Sequence, residues 1–305
     1  MKVFVTGASG HIGSALIPEL LHHGHEVVGL ARSDSSAAQV AERGAEVRRG
    51  DLYDPEGLAA AARESDAVIH LAFDHESMFG GDREKAVGAD LTVLNAFGDA
   101  LAGTDKPLVG TGGSLMLAFM GITDRPGTEE DRGPGGPRID AENYVIGLKD
   151  RGVRSGWVRL APMVHSELDT SGFTPTLIGA ARAAGAAAYV GDGSNRWPAA
   201  NTYDIATLYR LAIEKGPAGQ IYHGVEGPSM PRTLIAETIA EGLGIEAKSI
   251  SQAEAGQYLS FLGDFASLDN PVSNDATREI LGWEPTHPGW VEDVRSGHYF
   301  AAVTA

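Results

Sequence analysis

Tyr144 and Lys149 lie in the stretch AENYVIGLKDRG, residues 141–152. A phenol beside an ammonium can deliver a proton, because the cation lowers the phenol pKa from its resting value near 10. Such a pair must share one face, which on a helix means a spacing of three or four residues. Tyr144 and Lys149 are five apart, about 140° around a helix, and so face different ways. Ala141, Tyr144, Val145 and Leu148 follow the i, i+3, i+4, i+7 pattern of a buried stripe. That stripe assigns Tyr144 to the core.

A second stretch, VTGASGHIG, sets Gly7, Gly10 and Gly13 between an apolar run and a helical pattern. This is the strand–loop–helix context of a dinucleotide site. Gly7 permits a tight turn, Gly10 lets backbone approach a pyrophosphate, and Gly13 lets helix and strand pack closely. The helix start adds free N–H groups and the positive end of its dipole. About 20 residues further on, an NAD-preferring site places an acid; here Arg32 takes that place, in ARSDSS. A guanidinium pairs with a 2′-phosphate and stacks on adenine. Ser33 is a further donor there, with His11 nearby, so the expected cofactor is NADP(H).

Composition limits the remaining classes. The chain has 305 residues, with 41 acids against 24 bases and a formal charge of −17. Such a surface repels phosphate backbones and anionic membranes, so neither nucleic acid nor membrane is an expected partner. There is no cysteine, which removes thiolate catalysis and thiolate metal sites. The histidines are scattered, without an H-E-x-x-H-type pattern, so no metal site is expected. The opening MKVFVTGASG reads as a strand at once, and no apolar run has transmembrane length. The expectation is a soluble, cytoplasmic protein.

These residues need a scaffold that holds them at one edge. Strand patterns at 2–7, 25–32, 45–51, 66–73, 106–113 and 156–162 alternate with helical patterns, the rhythm of right-handed βαβ units and a parallel sheet. After Pro162 helical patterns dominate, with one further strand candidate at 219–226. The expected fold is α/β: a doubly wound Rossmann sheet of about seven strands with a smaller, mainly helical lobe. Residues 1–162 plus 219–226 form the dinucleotide domain, and 163–218 with 227–305 the substrate lobe. DRPGTEEDRGPGGPR (124–138) reads as a mobile loop.

The G-x-x-G-x-x-G spacing of TGASGHIG, with GDL (50–52), HLA (70–72) and VRLAP (158–162), resembles the short-chain dehydrogenase/reductase superfamily in its extended and atypical branches. The resemblance runs from Met1 to LGWEPTHPG (281–289). It implies that Asp51 and Leu52 contact the adenine, that Leu71, Ala72 and Phe73 line the cofactor, and that Pro162 and Met163 approach the nicotinamide amide. Ser9, Ile12 and Thr111 complete the implied cofactor set. The family motif Y-x-x-x-K, registered from the sixth strand, falls on Pro134 and Arg138, with Glu142 one turn later and able to pair with Arg138. Proline donates no proton, so the ordinary Tyr–Lys device is absent and the chain resembles an atypical subgroup.

Other groups are candidates to act at the nicotinamide. Ser114 lies where the family places a substrate-orienting hydroxyl, or else caps its turn. His75 follows Phe73 above the cofactor, and His165 occupies a comparable loop; each is either a proton donor near neutral pH or a solvated side chain. Trp197 and Tyr203 either wall a substrate or pack between lobes. Three functions fit: an NADP(H)-dependent oxidoreductase acting on a small carbonyl or imine compound, an epimerase/dehydratase-type enzyme, or a non-catalytic NADP(H) sensor. Dimers are common in the superfamily, so a homodimer is an expected assembly.

Overall fold

The computed structural model describes residues 1–301. Its first half runs β1 (Lys2–Thr6), α1 (His11–His22), β2 (Glu26–Ala31), α2 (Asp34–Glu42), β3 (Glu46–Arg49), α3 (Pro55–Arg63) and β4 (Ala67–His70). Then follow α4 (His75–Phe79), α5 (Arg83–Leu101), β5 (Pro107–Gly113), α6 (Leu115–Phe119), α7 (Ile139–Gly147) and β6 (Arg154–Leu160). The second half contains β7 (Met163–His165), α8 (Phe173–Ala184), β8 (Ala186–Val190), β9 (Arg196–Trp197), β10 (Ala199–Asn201), α9 (Thr202–Lys215) and β11 (Gln220–Gly224). It continues with β12 (Met230–Pro231), α10 (Arg232–Leu243), β13 (Glu246–Ile250), α11 (Ala255–Leu259), α12 (Asp275–Leu281) and α13 (Trp290–Arg295).

Seven strands form one sheet in the order β11-β6-β5-β4-β1-β2-β3, every neighbouring pair parallel. The central strands are buried on both faces, which explains their near-continuous apolar sequence. Strand β11 joins the edge beside β6, so the chain returns to the sheet after leaving it. Beyond Val109 the register between β4 and β5 ends, and the carboxyl ends of the strands open into the crevice where such sheets bind ligands.

A second core, around Leu177, Trp197, Ile235, Ile239 and Trp290, belongs to the smaller lobe. It carries its own parallel pair, β8 with β13. Helix α9 departs from the sequence expectation. It lies within the stretch given to the substrate lobe, yet Ile205, Leu208, Tyr209 and Ile213 bury in the main core with Leu16, Ile17 and Leu20 of α1. Periodicity shows that a face is buried, and is silent on what covers it.

The loop at 124–138 lacks a helix or strand as expected, but it is anchored. Glu129 accepts hydrogen bonds from the Thr277 backbone N–H (2.9 Å) and hydroxyl (2.6 Å). Arg125 holds Asp131 at 2.6 and 2.8 Å, and the Asp131 carbonyl accepts from Arg159 at 2.7 Å. The expectation of mobility is corrected by these long-range partners. Among the described residues, no helix is long and apolar enough to cross a membrane.

Candidate active site

The glycine loop joins β1 to α1. Gly7 has φ +68°, and a Cβ there would lie 2.9 Å from the Ala72 backbone nitrogen. A Cβ on Gly13 would come within 2.4 Å of the Gly7 carbonyl oxygen, so helix and loop touch backbone to backbone. A Cβ on Gly10 would meet only the Gly7 oxygen, at 3.2 Å; the rest of its surroundings is open. Gly10 caps α1 without a side-chain hydrogen bond, which leaves the first N–H groups of the helix to a ligand. This cradle fits a dinucleotide pyrophosphate.

At the far end of β2, Arg32 is exposed. The Ser33 hydroxyl accepts from the Ser36 backbone N–H at 3.1 Å and caps α2. Arg49 donates to the Ser33 carbonyl (2.5 Å) and to Asp34 (2.8 Å). It brings a second guanidinium to this end of the sheet, one that sequence reasoning missed although it directly precedes GDL. Asp51 Oδ1 accepts from the Tyr53 backbone N–H at 2.9 Å, and Leu52 packs on the core beneath. His11 does not join the Arg32 end. Its Nε2 lies 2.6 Å from the Thr202 hydroxyl and its Nδ1 lies 3.8 Å from Asp169. Burial, reinforced by His165, lowers its pKa to about 4, so it is neutral near pH 7.

At the carboxyl ends of β4 and β5 the polar groups form one buried chain. The Thr6 hydroxyl lies 2.7 Å from His70 Nδ1, and His70 Nε2 lies 3.2 Å from Asp90 Oδ1. The other Asp90 oxygen accepts from Arg138, which also donates to the Thr111 carbonyl at 2.5 Å. The Thr111 hydroxyl donates to the His70 carbonyl and meets the buried Tyr209 hydroxyl, both at 2.7 Å. Arg138 precedes α7 with φ +67°, an uncommon conformation for a non-glycine residue. Its guanidinium lies 4.2 Å from the centroid of Phe73 and 5.7 Å from that of Trp157. Burial lowers its pKa, and Asp90 opposes that. The result is a fixed cation at the strand ends, its plane against the ring that follows β4.

Residues 7–102 match the NAD(P)H-binding family model. The YLL056C protein of Saccharomyces cerevisiae is 42% identical to this chain, covering 98% of it and 99% of the yeast protein. The 2-alkyl-3-oxoalkanoate reductase of Stenotrophomonas maltophilia is 28% identical over 79% of this chain and 75% of the reductase. The solved dTDP-glucose 4,6-dehydratase DesIV of Streptomyces venezuelae, with NAD and TYD bound, has a TM-score of 0.75 at 20% identity. That superposition covers 98% of this chain and 97% of DesIV. The chain belongs to one family with the yeast YLL056C protein, and its fold is of the short-chain dehydrogenase/reductase type. Its architecture is that of the extended, epimerase/dehydratase-like branch, with an NAD(P)-binding domain.

Arg138 is the residue onto which the sequence reading registers the motif's lysine position. The partner foreseen for it was Glu142, but Glu142 pairs with Arg159 at 2.6 and 2.7 Å, and Asp90 holds Arg138 instead. Asp90 and His70 were missed by sequence reasoning; the signal was an acid on the inward face of α5. Tyr144, on α7, is half-buried at the edge of the core rather than within it, its hydroxyl 3.5 Å from the Asn95 carbonyl of α5 and 3.4 Å from Arg151. Lys149 is exposed. The phenol and the ammonium do not form a pair.

Four further candidates are engaged by protein partners. Ser114 is fully buried and donates to Asn270 at 3.0 Å, while Asn270 donates back to the Ser114 carbonyl at 2.9 Å. This clamp takes its hydroxyl away from a substrate. His165 is buried between Asp293 (2.8 Å) and Glu226 (2.9 Å). Burial opposes its charge, yet these two partners outweigh burial and raise its pKa to about 9, so it is a held cation rather than a proton donor near neutral pH. Trp197 is 0% exposed; its indole N–H donates to the Leu268 carbonyl at 3.1 Å, which makes it core of the small lobe. The Tyr203 hydroxyl donates to Glu167 and its ring stacks on His287 at 5.3 Å; burial and Glu167 raise its pKa to about 12.

His75 is exposed at the start of α4. Its ring lies 5.1 Å from Phe73 and 6.0 Å from Phe79. Loss of water to these walls, and the Arg138 charge, lower its pKa. Leu71, Ala72, Phe73 and Pro162 are half-buried along the same edge, and Met163 is buried beside Trp197 in the small-lobe core. Ser9 precedes Gly10 in the loop, and Ile12 lies in the first turn of α1.

Proposed function

We infer that this chain is an NADP(H)-dependent oxidoreductase acting on a carbonyl or imine carbon of a small molecule. The observation that carries this reading is Arg138, fixed by Asp90 and the Thr111 carbonyl at the cofactor-facing ends of β4 and β5. Gly7, Gly10, Gly13 and the start of α1 hold the pyrophosphate, and Arg32, supported by Arg49, faces the 2′-phosphate. Bound there, the nicotinamide supplies or accepts the hydride.

Arg138 does the work of orientation and charge stabilisation. A guanidinium offers several N–H donors in a fixed plane and does not lose its proton. Preorganised donors of this kind stabilise an oxygen that gains negative charge. The proton itself comes through His75, which is open to solvent on one side, or arrives already on an iminium substrate.

The test is a fluorescence titration with NADPH and NADH. Wild type is expected to bind NADPH at least tenfold more tightly, matching a charge-assisted bond of about 1.5–3 kcal/mol. Arg32→Glu is expected to reverse the order. Equal affinities in the wild type would overturn the NADP(H) assignment.

A further inference from the structure

Arg138 stands only as firmly as Asp90 does, and Asp90 is held in turn. His70, the last residue of β4, is 2% exposed, and Asp90 on α5 is 6% exposed. Each Asp90 oxygen has its own partner: Oδ2 accepts from Arg138, and Oδ1 lies 3.2 Å from His70 Nε2. An ionised carboxylate accepts and does not donate, so the proton in that contact belongs to Nε2. Nδ1 is left to the Thr6 hydroxyl at 2.7 Å, which also accepts from the Ala72 backbone N–H at 3.2 Å. Phe97 meets the imidazole edge-on, with centroids 5.5 Å apart. Turning the ring away would leave Asp90 Oδ1 buried and without that donor, which costs more than the bond itself contributes.

Arg138 depends on that carboxylate. Its backbone is left-handed, with φ +67°, a state that persists only where the surroundings over-determine it. Phe73 and Trp157 offer ring faces, which accept a guanidinium at several angles. The Thr111 carbonyl offers a single acceptor. Asp90 is the partner that carries charge, and His70 decides which way its carboxylate is turned.

We propose that His70 is a positioning residue for Arg138: its Nε2–H turns the Asp90 carboxylate so that the guanidinium meets the reacting group. This role rests on the oxidoreductase reading of Arg138 and adds the residue that sets its angle. The same imidazole reaches Thr6, the residue before Gly7, so one buried line joins the glycine loop to the fixed cation.

The two nitrogens of His70 can be replaced separately. In His70→Gln the longer amide reaches the place of Nε2 and still donates to Asp90, whereas in His70→Asn the shorter amide stops at the place of Nδ1 and meets Thr6 alone. Single-turnover oxidation of saturating NADPH with a carbonyl and imine panel is expected to stay near the wild-type rate in His70→Gln. In His70→Asn it is expected to fall about tenfold, the size of one hydrogen bond to a charged group. Tryptophan emission gives a readout independent of turnover, because the Trp157 ring lies 5.7 Å from the Arg138 guanidinium. There His70→Asn is expected to share the shift of Arg138→Met, and His70→Gln to keep the wild-type spectrum. Circular dichroism checks folding, and His70→Met, which has no donor, takes the place of His70→Asn if that variant does not fold. Equal rates or equal spectra in the two variants would overturn the role. If the wild type turns over no compound, the oxidoreductase reading fails and the emission comparison alone decides for or against His70.

Discussion

His165 is a buried cation held between Asp293 and Glu226. Its two carboxylate partners lie 128 and 61 residues away in sequence, beyond the reach of any local pattern. Their effect has a definite sign. The folded pKa of about 9 exceeds the ordinary histidine value near 6.5. The stability it contributes is therefore complete below about pH 6.5 and is lost as pH rises through about 9. The whole span is worth on the order of 3 kcal/mol. Urea denaturation across this range is expected to show that fall in the wild type and a much flatter profile in His165→Gln. Arg138 is the opposite case: counting back from β6 singles it out, while its partner Asp90, 48 residues earlier, is not visible to such a count. Residue types and short spacings carry the position of a site, and long-range pairing carries its electrostatics.

At the scale of elements, the β1–loop–α1 unit was legible because strand pattern, glycine spacing and helix stripe agree within the first 22 residues. The anchored loop at 124–138 was not, because its order comes from Thr277 and Arg159 rather than from its own Gly- and Pro-rich sequence. The glycines make distinct predictions. Gly10 has φ −78° and ψ 179°, which any residue adopts, and its open side faces the ligand. Gly10→Val is therefore expected to fold normally and lose NADPH binding. Gly13→Ala forces a methyl to within 2.4 Å of the Gly7 oxygen and is expected to destabilise the fold by about 1–3 kcal/mol, as overpacking does. Thermal denaturation beside cofactor titration separates the two effects. Wild-type NADPH affinity in Gly10→Val would show that the phosphates lie elsewhere.

Across the whole molecule, one parallel sheet carries the glycine loop and a second core lies beside it. Phe79, 48% exposed, and Phe261, 38% exposed, meet at 4.7 Å. Within that frame Arg138 is the one cation described at the ends of β4 and β5 that Asp90 holds in place. The central claim is that Arg138, and no tyrosine of α7, acts on the reacting group. It is tested by single-turnover oxidation of bound NADPH with a panel of carbonyl and imine compounds, in wild type, Arg138→Met and Tyr144→Phe. Arg138→Met is expected to lose about 10²–10³-fold, and Tyr144→Phe to keep a rate close to wild type. Undiminished turnover in Arg138→Met, with a loss of about 10²–10⁴-fold in a folded Tyr144→Phe, would contradict it.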